Sequence, residues 1–470
     1  MSKARVSRPR LRITPRHVAL VILALACGGK ETHVGCSPTL TCSLDDARFE
    51  PPAERDAGPP ACEKKKHRCR AETIAAGRAH TCAIAPAGEL LCWGDGSQGQ
   101  LGDGRVHAVL HGDGGIGDGG IADGGVGAAM PGASTDAGLD AGPLMPVLDR
   151  ATAVTAGGAH SCAIDGDGRV LCWGRGAEGQ VDGVPTGEMP VLKPVEVAGI
   201  GEATDLSAGA AHTCAVTERG VVCWGSARHG QIGVEVGGSP GLPGLVPGTA
   251  GAVEVSAGAR HTCARLQRGR VLCWGETLDD DGQMRANAEA YAVAGLDDAM
   301  EIAAGAGFTC ALRANGKVVC WGLNDAGQLG DGTRHASAAP VEVTGLELSL
   351  YIAAGGAERD GTLDGHACAV TKSFFVQCWG RNREGQLGVG KAPDATRAAV
   401  VLGLPGEEDD EPFLPDVTAI TAGGAHSCSI DHDGPVICWG DDSLGQLDAN
   451  PEGEYAVGRP TETRLFSGSR

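Results

Sequence analysis

Residues 302–332 read IAAGAGFTCALRANGKVVCWGLNDAGQLGDG, and close copies of this stretch organise the rest of the chain. VTAGGAHSCAIDGDGRVLCWGRGAEGQVDG begins at Val154, and IAAGRAHTCAIAPAGELLCWGDGSQGQLGDG begins at Ile74. All seven tryptophans (Trp93, Trp173, Trp224, Trp274, Trp321, Trp379 and Trp439) sit in the tripeptide Cys-Trp-Gly, at successive spacings of 80, 51, 50, 47, 58 and 60 residues. Short β-type runs such as SCAI and RVLCW, divided by glycine turns at this period, predict propeller blades rather than a helical solenoid. Seven copies predict an all-β, seven-bladed β-propeller over residues 72–470.

The chain ends predict a closed ring. The 31 residues after Trp439 and the 22 from Glu72 to Trp93 together make one ordinary repeat spacing. Other repeats are preceded by a Pro-led strand, such as Pro194-Val195-Glu196-Val197 or Pro340-Val341-Glu342-Val343, which the first repeat lacks. RPTETRL at residues 459–465 is expected to supply it, so that the C-terminal strand completes the first blade and leaves no open sheet edge.

Fourteen of the 19 cysteines form seven recurring pairs: Cys82/Cys92, Cys162/Cys172, Cys214/Cys223, Cys263/Cys273, Cys310/Cys320, Cys368/Cys378 and Cys428/Cys438. Their separation is ten residues, nine in the third pair, which is not zinc-ligand spacing. Turn sequences at the midpoints, such as Ala314-Asn315-Gly316, place each pair opposite one another on adjacent antiparallel strands, within reach of a disulfide. Disulfides belong to oxidising compartments. Seven short closed loops, each worth roughly 2–3 kcal/mol, would be a large share of the stability of so glycine-rich a ring.

The recurring A-G-x-x-H-[ST]-C-A, C-W-G and G-Q-L-G-D-G elements resemble the regulator of chromosome condensation family over residues 72–470. The resemblance implies a seven-bladed propeller. In the eukaryotic prototype that propeller exchanges nucleotide on the Ran small GTPase and sits on chromatin. The cysteines, the leader and the linker described below look more like secreted bacterial members, and a similar bacterial propeller inhibits lactamases purely by binding.

Composition narrows the function further. The 76 glycines are one residue in six, against a usual share of roughly 7 %. Only 16 residues are aromatic, so each tryptophan is expected to pack between neighbouring sheets rather than hold a ligand. A formal net charge of −20 disfavours nucleic-acid backbone binding. Residues 1–26 carry six basic residues and no acid, with the apolar run VALVILALA before Cys27. That is the pattern of a secretory signal peptide. Ala24-Leu25-Ala26-Cys27 resembles a lipobox, which makes Cys27 the expected lipidation site and the lipid anchor the expected membrane contact. Cleavage there would remove 26 residues and six positive charges, leaving 444 residues at net −26. The expected location is the outer membrane or cell surface, otherwise the secreted fraction.

Residues 27–71 read as a tether whose Cys36, Cys42, Cys62 and Cys69 allow three pairings. Its basic run Lys64-Lys65-Lys66-His67-Arg68 is expected to be solvated. A Gly/Asp-rich insertion at about 105–145, containing GDGGIGDGGIADGG at residues 112–125, reads as a flexible loop; its five-residue Asp-Gly-Gly period is not that of calcium β-rolls. GEEDDEP at residues 406–412 reads as a solvated acidic loop. His80, His160, His212, His261, His366 and His426 share one repeat position, which Phe308 takes in the fifth repeat; structural hydrogen bonding is expected of them, not a metal. Paired glycines before them (Gly157-Gly158, Gly355-Gly356, Gly423-Gly424) are expected where blades converge.

No H-E-x-x-H, G-x-S-x-G or Walker A motif occurs, and no catalytic residue, metal site or cofactor is expected. The leading expectation is a monomeric, non-enzymatic, extracytoplasmic scaffold that binds a protein or envelope partner. The alternatives are a guanine-nucleotide exchange factor and a secreted glycan-acting enzyme.

Overall fold

In the computed structural model, the described residues are 62–63, 68–69, 71–107, 146–238, 241–279, 281–359, 361–403, 413–414, 416–432, 434–447 and 460–462. All lie within one compact unit, Ala57–Arg470. The leader with Cys27, Cys36 and Cys42, the basic run at 64–67, the core of the Gly/Asp-rich insertion and the acidic loop lie outside the described residues. Cys62–Glu63 and Arg68–Cys69 pair as a two-stranded ribbon in which Cys62 lies opposite Cys69 along the backbone.

Seven antiparallel sheets follow in chain order. Their innermost strands are Thr73–Ala76, Ala151–Ala156, Ala203–Ala208, Ala252–Ala257, Ala299–Ala304, Ser349–Arg359 and Val417–Ala422, numbered here as blades one to seven. Blade three shows the common plan: Ala203–Ala208, His212–Thr217, Gly220–Gly225 and Gly241–Leu245 pair in sequence order. The Cys-Trp-Gly glycines need this backbone: Gly225 has φ 100°, and a Cβ there would meet the Ala211 carbonyl at 2.8 Å.

The C-terminal strand does not complete the first blade. Thr461–Glu462 pairs with the third strand of the seventh blade, with Ile437 opposite Glu462 and Cys438 opposite Thr461. Blade one takes its outer edge from residues just past the Gly/Asp-rich insertion, where Val147 and Leu148 bracket Leu90 with two backbone hydrogen bonds of 2.8 Å. The Pro-led strands therefore end a repeat rather than begin one: Val195 lies opposite Cys172, and Val341 opposite Cys320. Each fourth strand folds back on the third strand that immediately precedes it, the shortest connection available. The ring closes laterally instead, through Gly424 N–H to Gly77 C=O at 3.0 Å and Ala71 N–H to Gly434 C=O at 2.9 Å.

The core is divided into seven wedges, one between each pair of neighbouring blades. In one, Trp224 of blade three packs on Ile164, Val170, Val181 and Val197 of blade two. Cys82–Cys92, Cys162–Cys172, Cys214–Cys223, Cys263–Cys273, Cys310–Cys320, Cys368–Cys378 and Cys428–Cys438 are joined as disulfides between the second and third strands, with Cα–Cα distances of 4.0–4.1 Å. Their sulfur atoms lie in these wedges, buried from solvent.

Candidate functional site: the loop-bearing face and the axial channel

Because the strands alternate in direction, the turns between first and second strands and the loops between third and fourth strands emerge on one face. That face is built on a repeated polar clasp. The Trp224 indole N–H donates to Gln180 C=O at 3.0 Å, and the Thr213 hydroxyl donates to the same carbonyl at 3.1 Å. His160 Nε2 then meets the Thr213 hydroxyl at 2.9 Å. Since the hydroxyl proton goes to Gln180, the imidazole must be the donor, which fixes the Nε2–H tautomer.

The histidines are thus stitches between blades: His80 to Ser161, His160 to Thr213, His212 to Thr262, His261 to Thr309, His366 to Ser427 and His426 to Thr81, at 2.8–2.9 Å. Burial lowers their pKa values, to about 4 for His80, His261 and His366 and about 3 for His160, His212 and His426. The rings are therefore neutral at physiological pH. Each reaches its own neighbour instead of converging on a shared point, and no group of three metal-ligating side chains occurs among the described residues. The His80–Ser161 pair has the spacing of a nucleophile and its base. It is closed to substrate, and the Ser161 proton is already given to Gln100 C=O at 2.9 Å.

Six of the seven tryptophans donate in the same way to a Gln carbonyl of the preceding repeat. The exception is Trp321. In the fourth repeat the Gly-Gln pair, Gly282-Gln283, puts its Gln nine residues after the tryptophan rather than seven, and Val271–Leu278 and Met284–Ala292 run on as a longer hairpin.

At the axis the turns come so close that only glycine fits. A Cβ on Gly157 would meet Gly209 C=O at 2.5 Å, and one on Gly423 would meet Gly77 C=O at 2.4 Å. They surround a channel of about 670 Å³ walled by the inner strands of the ring. Ala, Gly, Ser and Thr line its wall, while Arg78, Arg175, Glu178, Arg228, His229, Arg260 and Glu358 line its mouth.

Over part of the mouth lies a second long hairpin, Ser349–Arg359 with Thr362–Thr371 in blade six. Glu358 ion-pairs with Arg260 two blades away, and Arg260 also holds Glu276 at 2.8 Å. On the other side Arg359 pairs with Glu384 at 2.9 Å, and Arg381 binds Asp364 and Glu384. These residues were not singled out in the sequence, yet a signal was there. Gly356 stands ten residues before His366, whereas Gly424 stands two before His426.

Lower on the inner strands, Asp205, Glu254 and Glu301 occupy equivalent positions in blades three to five. Each accepts the N–H of the next inner strand: Val255 at 2.8 Å, Ile302 at 2.9 Å and Ile352 at 3.0 Å. Desolvation raises all three pKa values, Glu254 to about 7 against the pull of Arg265 and Glu301 to about 8 with Glu254 adding to the rise.

Such a ring defines a class: an all-β propeller with a polar, loop-bearing face and no assembled catalytic group among the described residues. The chain belongs to the RCC1-like domain family, whose model matches residues 107–469, and a regulator of chromosome condensation repeat model matches residues 72–100. It is 28 % identical over 370 residues to the human E3 ubiquitin-protein ligase HERC2, covering 78 % of this chain but spanning only 6 % of that protein's length. The Arabidopsis thaliana ultraviolet-B receptor UVR8 is 27 % identical over 406 residues, covering 80 % of this chain and 78 % of the receptor. Among solved structures, yeast RCC1 (Prp20) bound to Kap60 matches with a TM-score of 0.59 at 17 % identity, covering 92 % of this chain and 91 % of that one. Human WBSCR16 matches with a TM-score of 0.57 at 19 % identity, covering 67 % and 83 %. At these identities the structural matches define the fold alone.

Proposed function

We propose that the chain is a non-enzymatic binding scaffold that works outside the cytoplasm, tethered through Cys27 and presenting its loop-bearing face to a protein partner. The observation that carries this reading is the set of seven buried cross-strand disulfides, one per blade, a chemistry that persists in oxidising compartments. Protein binding is in keeping with the family: the yeast relative Prp20 is described by its binding to Gsp1p and histones. The positions of the clasps support the choice of face, since both long hairpins extend from it while the blade framework stays constant.

Intact mass of the protein from its native envelope, before and after reduction and alkylation, tests the proposal. A chain starting at a diacylated Cys27 whose other thiols alkylate only after reduction and unfolding is the expected result. An unprocessed chain with free thiols would overturn it. Accelerated nucleotide release from a Ran-type GTPase would replace the scaffold with an exchange factor, and turnover of a glycan would replace it with an enzyme.

A further inference from the structure

The wall of the axial channel is asymmetric in its hydrogen-bonding capacity. Thr155 Oγ1 accepts the Ala208 N–H at 3.0 Å, Ser207 Oγ the Ala257 N–H at 3.0 Å, Ser256 Oγ the Ala304 N–H at 2.9 Å and Thr421 Oγ1 the Ala76 N–H at 3.0 Å. All four hydroxyls line the channel. Each has therefore used an acceptor site on its neighbour blade, and none gives its own proton to a protein acceptor among the described residues. A hydroxyl in that position has a proton left to donate inward.

The mouth repeats the bias on one side. Arg260 is neutralised by Glu276 and Glu358, and Arg228 by Glu178 at 2.9 Å. Arg78 and Arg175 line the same mouth and are exposed, and neither makes an ion pair among the described residues. Both spring from backbone bonded to one small-residue turn: Arg78 N–H to Gly157 C=O at 3.0 Å and Arg175 N–H to Ala159 C=O at 2.8 Å. Gly157, Gly158 and Ala159 put no long side chain between them.

We propose that this end of the channel is a binding subsite for carboxylates, taking an acidic side chain or free C-terminus of a partner polypeptide between Arg78 and Arg175, with the Thr155, Ser207, Ser256 and Thr421 hydroxyls as further donors. Two guanidiniums without a carboxylate partner and four hydroxyl protons match an oxyanion. The volume of about 670 Å³ admits a short peptide segment rather than a folded domain. The subsite rests on the reading of this face as the binding face; a partner held only by the hairpins would fail the test below and leave that reading intact.

The probe is a glutamate-rich pentapeptide with a free C-terminus, titrated calorimetrically into the full chain beside its amidated glutamine counterpart and inorganic phosphate. Binding of the acidic peptide at least tenfold tighter than of the glutamine peptide is expected. Arg78→Gln and Arg175→Gln should each weaken it about tenfold, as loss of a charge-assisted hydrogen bond does. Arg169→Gln, which lies away from the channel and is paired with Asp165, should stay within about twofold. Ser207→Ala with Ser256→Ala should weaken it a few-fold. Equal binding of both peptides, no binding at millimolar acidic peptide, or indifference to Arg78 and Arg175 overturns the subsite. Arginine-dependent binding of phosphate without the peptide overturns the assignment to carboxylates.

Discussion

The junction of blades two and three and the junction of blades five and six are built from the same repeat, yet only the first has the full clasp. There, His160 stitches to Thr213, Thr213 and Trp224 share Gln180 C=O, and Gly158 N–H reaches Gly209 C=O at 3.1 Å. At the other, Phe308 replaces the histidine and Ala367 replaces the hydroxyl, so donor and acceptor are missing together and neither is orphaned. Trp379 still donates to Gln328 C=O at 3.0 Å. The Phe308 ring lies against the long blade-six hairpin, where a Cβ on Gly365 would meet it at 2.9 Å. The repeat tolerates loss of a whole polar pair when apolar packing fills the space, and the loss coincides with the hairpin that reshapes the loop-bearing face.

Acid should expose the stitched junctions first. The six histidines have folded pKa values lowered to about 3–4, so below about pH 6.5 the unfolded chain binds protons that the folded chain cannot. Stability then falls as pH falls. Asp205, Glu254 and Glu301, whose folded values burial raises, Glu254 to about 7 and Glu301 to about 8, act in the opposite sense, favouring the fold at low pH. Six imidazoles against three carboxylates leave a net uptake of protons on unfolding, so stability falls progressively as pH drops below about 6.5. Denaturant titrations at pH 7.5, 6 and 5 measure it; a flat profile would show that the imidazoles are hydrated and charged in the fold.

Removing one disulfide is the next largest change. Cys214→Ala with Cys223→Ala should destabilise by roughly 2–4 kcal/mol in chemical denaturation. Because Cys214 and Cys223 are at most 1 % exposed, native protein should resist alkylation under mild reductant until it unfolds.

The stitch can then be converted into its own exception. His212→Phe alone removes the donor to Thr262 and should destabilise by about 1–3 kcal/mol. Adding Thr262→Ala should lose less than the two single losses together, with a coupling of about 1 kcal/mol in a double-mutant cycle. Strict additivity would mean that the stitch carries no energy of its own. The reverse change, Phe308→His with Ala367→Thr, should destabilise by about 1–3 kcal/mol, since apolar packing already fills that junction and the larger residue at 367 overpacks it. A gain in stability would identify the junction as merely missing a bond.

Much of this was legible in the chain because repetition exposes it. Blade number follows from the count of copies, and cysteine opposition, glycines at close approach and the wedge position of the tryptophans follow from residues within one repeat. What was misread concerned the assignment of strands between repeats. A Pro-led strand sits between two Cys-Trp-Gly motifs, and its sequence does not say which neighbour it joins. Thr461–Glu462 was expected on blade one and lies on blade seven. The stitches themselves were also hidden: the two partners of a clasp such as His160 and Thr213 are 53 residues apart.

Strands and turns a few residues apart carry the all-β units and the opposition of the cysteines, and repetition carries their number, so these are written in the chain itself. The tautomer of the histidines, the contacts that join blade seven to blade one, the reach of Glu358 to Arg260 and the donor-rich wall of the channel arise only in the folded ring. Those are properties of closure. Bringing seven inner strands around one axis aligns hydroxyls, amides and charges from distant repeats, and no local pattern encodes where such groups meet.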